Sequence, residues 1–75
     1  MKDVGFVSSN PNNVRVLELL RKRSGVSVDE IAKFTRIPKI TLRTIMVELK
    51  RRGFVVEENG HYSISEEGLE VLKRL

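Results

Sequence analysis

"SVDEIAKFTRIPKITLRTIMVELKRRG", residues 27–53, reads as two helices with almost nothing between them. It opens on a capping box: the Ser27 hydroxyl can accept the free N–H three residues on, and Glu30 can reach back to the Ser27 N–H. A helix from Val28 to about Thr35 follows, with Ile31, Ala32 and Phe34 as its expected buried residues. Pro38 then opens a second helix that stops at Gly53. At about 100° per residue, Leu42, Ile45, Met46 and Leu49 share one core-facing stripe of the second helix. The opposite side carries Ile40, Arg43, Thr44, Val47 and Arg51, flanked by Lys39 and Lys50. Two helices joined as tightly as "TRIPK" (35–39) allows form a helix-turn-helix. So short a connection leaves little freedom in the crossing angle, and the second helix projects from the body of the domain.

The flanks complete a small fold. In "NPNNVRVLELLRKRSG" (10–25), Asn10 is a cap and Pro11 takes the first helical position. Val14, Val16, Leu17 and Leu20 recur at helical spacing, and Gly25 is a stop, so a helix is expected over about 11–24. Residues 1–9 are expected to be a loose N-terminal segment. Downstream, "GFVVEENGHYSI" (53–64) pairs Phe54–Glu57 with His61–Ile64 through Asn59-Gly60, which supply the positive φ angles of a type I′ turn. Phe54, Val56, Tyr62 and Ile64 are expected to cover the core. Ser65 then caps a last helix that returns Leu69, Leu72 and Leu75 to the interior. Residues 1–75 thus read as a single domain, mainly α with a small β-hairpin. It is a winged helix-turn-helix with a three-helix core, a two-stranded wing and a C-terminal helix.

Composition narrows the function classes. A chain of 75 residues buries only about 60% of the surface its unfolded form exposes, which leaves no room for a large substrate cavity. It has no cysteine, hence no disulfide framework and no thiolate zinc site, in keeping with a reducing cytoplasm. No apolar run is long enough for a membrane span, and "MKDVGFVSSN" lacks a signal-peptide core. The net charge of +4 is unevenly spread. Residues 1–32 hold five Lys or Arg and four acids, residues 33–52 seven and one, and residues 53–75 two and five, giving +1, +6 and −3. The positive block coincides with the projecting helix and its turn, where it would meet phosphates.

These residues carry a resemblance. "DEIAKFTRIPKITLRTIMVELKRRGFVV" (29–56) resembles the winged helix-turn-helix of prokaryotic transcriptional regulators of the MarR and IclR type, and "RVLELLRKRSGVSVDEIA" and "YSISEEGLEVLKRL" resemble the elements flanking it. The wording is closest to small archaeal members, and the resemblance covers about residues 10–75. Ile37-Pro38-Lys39 looks like the start of an IclR-type recognition helix. By position, the resemblance implies that Lys39, Ile40, Thr41, Arg43 and Thr44 contact DNA. Two departures stand out: the wing is short and acidic at Glu57 and Glu58, and neither a long dimerisation helix nor a ligand domain follows the last helix. No small-molecule effector is therefore expected.

Residue chemistry divides the roles. Arg43 lies near the start of the projecting helix, and its fork can reach two acceptors on guanine. Lys39, Thr41 and Arg36 suit phosphates. Lys50 and Arg51 lie at the helix C-terminus, where the helix dipole favours cations in any case. Ile40 and Val47 are apolar on the outward face, fit either for thymine methyl groups or for a protein interface. Acidic Glu57 and Glu58 would repel phosphates, so the hairpin is expected to be structural and not to enter a minor groove. His61 alone cannot build a metal site. No nucleophile has a base beside it and no Gly-rich phosphate loop is present, so no enzyme, cofactor or metal is expected. The leading expectation is a sequence-specific regulator that binds double-stranded DNA as a homodimer, with "DVGFV" (3–7) and the last helix with Leu75 as the dimer contact. The alternatives are a winged-helix protein-binding module of the transcription machinery and a sequence-independent chromatin protein.

Overall fold

The computed structural model describes residues 2–75. In chain order the elements are α1 (Lys2–Ser8), α2 (Pro11–Lys22), β1 (Val26–Ser27), α3 (Val28–Thr35), α4 (Lys39–Arg51), β2 (Val55–Glu58), β3 (His61–Ile64) and α5 (Glu66–Lys73). The caps work as their residue types dictate. Asn10 accepts from the Asn12 N–H, Ser65 accepts from the Gly68 N–H, and both halves of the Ser27–Glu30 capping box are made. The helix α4 ends in a Schellman motif: Gly53 is left-handed at φ 81°, its N–H reaches the Lys50 carbonyl, and the Phe54 N–H reaches the Leu49 carbonyl at 2.9 Å. Phe54 is therefore still part of the helix ending, so β2 begins one residue later than the sequence reading placed it. The Asn59-Gly60 turn has φ of 52° and 80°, as a type I′ hairpin needs.

The core forms where the buried stripes meet: Val16, Leu17 and Leu20 of α2, Ile31 of α3, Leu42, Met46 and Leu49 of α4, and Phe54 and Val55 after it. Five sequence expectations change. The expected loose segment 1–9 is, over its described residues 2–9, mostly the helix α1: Val7 is fully buried and the Phe6 ring stacks on Phe54 with centroids 6.5 Å apart. The wing is not two-stranded alone. A third antiparallel strand, β1, pairs Val26 with Tyr62 and Ser27 with His61, giving the order β1-β3-β2. Val55, not Val56, fills the interior, since Phe54 and Val55 are both buried while Val56 is 55% exposed. In α5 the buried residues are Val71 and Gly68, whereas Leu69 and Leu75 stay exposed; in α3, Phe34 lies outside and carries the Arg23 guanidinium 4.4 Å from its ring.

Gly68 fixes how closely α5 approaches the sheet. A Cβ there would collide with the Phe54 carbonyl oxygen and come within 2.7 Å of Ile64 Cγ1. The Phe54 carbonyl already accepts the Ser65 N–H and cannot move freely. Gly68→Ala is expected to destabilise the domain by about 3 kcal/mol through overpacking. Gly5→Ala, in α1 with nothing within 4 Å, should be neutral or stabilise by up to about 1 kcal/mol. Urea unfolding of the two variants checks this pair; equal stabilities would contradict the packing described.

Candidate nucleic-acid interface

The direction of α4 is set at the corner that precedes it. Thr35, buried at the end of α3, donates its hydroxyl to the Ile31 carbonyl at 2.6 Å and accepts the Ile37 N–H at 3.3 Å. Its own carbonyl accepts from the Arg15 guanidinium on α2. Arg36 takes the left-handed conformation at φ 61° with its side chain outside, and Ile37 plugs the core. Pro38 fixes the entry, and its carbonyl accepts the Leu42 N–H at 2.9 Å. The buried stripe of Leu42, Ile45, Met46 and Leu49 then decides which side of α4 looks out.

Every residue singled out in the sequence is exposed: Arg36 at the corner, and Lys39, Ile40, Thr41, Arg43, Thr44, Val47, Lys50 and Arg51 along α4. Ile40, Thr44, Val47 and Arg51 run along the outward ridge; Arg43 borders it on the side of Lys39 and Lys50, and Thr41 lies on the other flank. Arg43, Thr44, Val47, Glu48 and Arg51 surround an open depression of about 470 Å³.

Sequence reading missed the partners of the two lysines. Lys39 Nζ lies 2.6 Å from Asp29 Oδ1 at the start of α3, and Lys50 Nζ lies 2.6 Å from Glu57 Oε1 on β2. Their hydrogen bonds hold both carboxyls below the usual carboxylate range, and the Glu57 bond raises the Lys50 ammonium. Because both carboxyls are depressed, the pairs are intact at neutral pH and are lost only as pH falls through the lowered values. Arg51 pairs loosely with Glu48 at 3.7 Å, and Arg52 lies over the Phe6 ring at 3.7 Å, tying the end of α4 to α1. No ion pair is made by Arg36 or Arg43 among the described residues. The carboxylates lie ten residues before Lys39 and seven after Lys50, so only the folded neighbours reveal them.

No protein-family profile and no curated protein matches this sequence. Solved structures do match. A protein of Pseudomonas aeruginosa PA01 put forward as a transcriptional regulator superposes with a TM-score of 0.74 at 28% identity, over 81% of this chain and 45% of that one. A Mycobacterium tuberculosis MarR family protein, Rv2887, in complex with DNA gives a TM-score of 0.74 at 21% identity, over 81% and 48%. The fold is a winged helix like that of this MarR family protein. Pseudomonas aeruginosa HmgR matches with a TM-score of 0.69 at 25% identity, over 76% of this chain and 25% of that one. The present chain thus spans less than half the length of each of these proteins. No helix among the described residues is long and apolar enough to cross a membrane.

The Lys50–Glu57 pair makes a direct prediction about this winged helix. In carboxyl-detected NMR titration, Glu57 should titrate below the usual range, and Lys50→Met should raise its midpoint. A midpoint that Lys50→Met leaves unchanged would show that the pair is not populated in solution.

Proposed function

We propose that this chain is the DNA-binding unit of a sequence-specific transcriptional regulator of the MarR/IclR-like, small archaeal type, acting as a cytoplasmic homodimer that lays α4 in the major groove. The observation that carries the reading is the outward face of α4. Arg36, Lys39, Arg43, Lys50 and Arg51 gather on and beside the exposed side of a helix whose opposite stripe is buried in the core, and the block 33–52 carries net +6. A helix of this diameter enters a groove about 12 Å wide. The likeness in fold to a protein solved in complex with DNA supports the same reading.

Within it the residues take different roles. Arg43, near the start of α4 and without an ion pair among the described residues, reads a guanine through its two-pronged fork. Arg36, Lys39, Thr41 and Thr44 address phosphates or groove edges beside it. Lys39 and Lys50 already hold carboxylates, so each delivers its charge to a phosphate only by sharing or leaving its partner. The wing, with Glu57 and Glu58 near its tip, stays out of the minor groove and serves the fold. In this reading the role of the chain is binding and not catalysis.

Dimerisation follows from the need for two half-sites one helical turn apart. An open groove of about 680 Å³ lies between α1, the start of α2 and the end of α5, where Val4, Pro11, Val14 and the half-exposed Leu75 form its apolar lining. A second copy of the chain seats there.

Arg43→Ala should weaken binding to the preferred site by about 1–3 kcal/mol and relax base choice at one position. Glu57→Gln should instead free Lys50, raising affinity for all duplexes and steepening the salt dependence by about one unit. Fluorescence anisotropy on specific and random duplexes over a salt series reads both; an unchanged specificity ratio for Arg43→Ala would remove base reading from this residue. For assembly, sedimentation should find dimers for the natural chain and monomers for Leu75→Glu. Monomers of the natural chain both free and on DNA would contradict the dimer.

A further inference from the structure

We infer that Ile40 and Val47 are thymine readers, selecting a half-site in which two thymine methyl groups stand about two base pairs apart on either side of the guanine that Arg43 addresses. This rests on the DNA-binding reading above and gives that interface its base preference.

Ile40 is 78% exposed and Val47 65%, the two most exposed large hydrophobics among the described residues. Single exposed apolar side chains need no explanation, but these two are not scattered. By helical phase Ile40 lies about 170° and Val47 about 150° from the middle of the buried stripe, so both stand on the ridge that any docked surface touches first. Arg43 and Thr44 lie between them in sequence, with Lys39 and Lys50 along one flank and Arg51 one turn beyond Val47.

Covering this ridge means drying two apolar groups in the middle of a basic face. A protein partner would have to cover Lys39 and Lys50 as well, a residue type in which interfaces are depleted. A major groove meets both demands. Phosphates line its rim, while its floor presents one kind of apolar group, the 5-methyl of thymine. The spacing agrees: seven residues of helix advance about 10 Å, and on a helix inclined in the major groove side chains that far apart meet bases about two steps apart. Arg43, three residues beyond Ile40, falls within that span.

The test starts from the duplex that the natural chain selects from a random pool. Each thymine of its half-site is replaced in turn by uracil, which removes the methyl and leaves every hydrogen-bonding group in place. Uracil at the two reader positions should each weaken binding about fourfold, the loss implied by one methyl-sized apolar contact. The penalty at one position should vanish in Ile40→Ala, and at the other in Val47→Ala, with melting temperatures close to that of the natural chain because both side chains lie outside the core. If the natural chain binds its selected site equally well with uracil throughout, or selects a site without thymines at this spacing, the inference falls and the DNA-binding reading stands. If it binds no duplex, both fall together.

Discussion

Thr35 Oγ1 donates to the Ile31 carbonyl and accepts the Ile37 N–H, and through this one buried hydroxyl the chain turns between α3 and α4 without leaving a polar group dry. An unmade bond at such a place costs about 1–3 kcal/mol, a large share of what a small domain has in hand. The same residue's carbonyl takes the Arg15 guanidinium, so the corner is also fastened to α2. With Ile37 as a plug and Arg36 left-handed, the corner turns the ridge of α4 outward. The opposite end of α4 is held by the Schellman ending at Gly53 and by Arg52 over Phe6, which stacks on Phe54. A helix seated at both ends presents its side chains with little freedom, and that serves selective binding, since less ordering remains to be done on contact.

Charge on this face is moderated. Two of its lysines are held by Asp29 and Glu57, while Arg43 stands without an ion pair among the described residues. Non-specific affinity for a duplex grows with every phosphate neutralised, whereas discrimination comes from contacts to base edges. An arrangement that occupies lysines and leaves the fork-shaped guanidinium open lowers the first and preserves the second. The acidic wing reaches this helix face through one contact, Glu57 holding Lys50 at 2.6 Å.

The sequence made α2, α3 and α4 legible because each carries a cap or breaker at its ends and an apolar stripe at helical spacing. Leu42, Ile45, Met46 and Leu49 are buried as the phase requires. The hairpin turn was equally plain from Asn59-Gly60. Where two phases are equally apolar, periodicity cannot decide: Val55 and Val56 are identical neighbours, and in α5 the run Leu69, Val71, Leu72 offers several faces, of which the close approach at Gly68 selects one. The helix α1 shows no repeating stripe in its seven residues and is held by Phe6 and Val7 against residues distant in sequence. The strand β1 is two residues long, and Ser27 serves in it and caps α3 at once. Exposure of the candidate interface was readable from phase; its ion pairs were not, because they join different elements.

Titration of the isotope-labelled chain with its selected duplex, followed by backbone and methyl NMR, tests the account most directly. The largest shifts are expected at the corner Arg36–Pro38 and along Ile40, Arg43, Thr44 and Val47, with little change at the Asn59-Gly60 turn. Shifts centred on the hairpin tip, with the ridge of α4 unmoved, would contradict it.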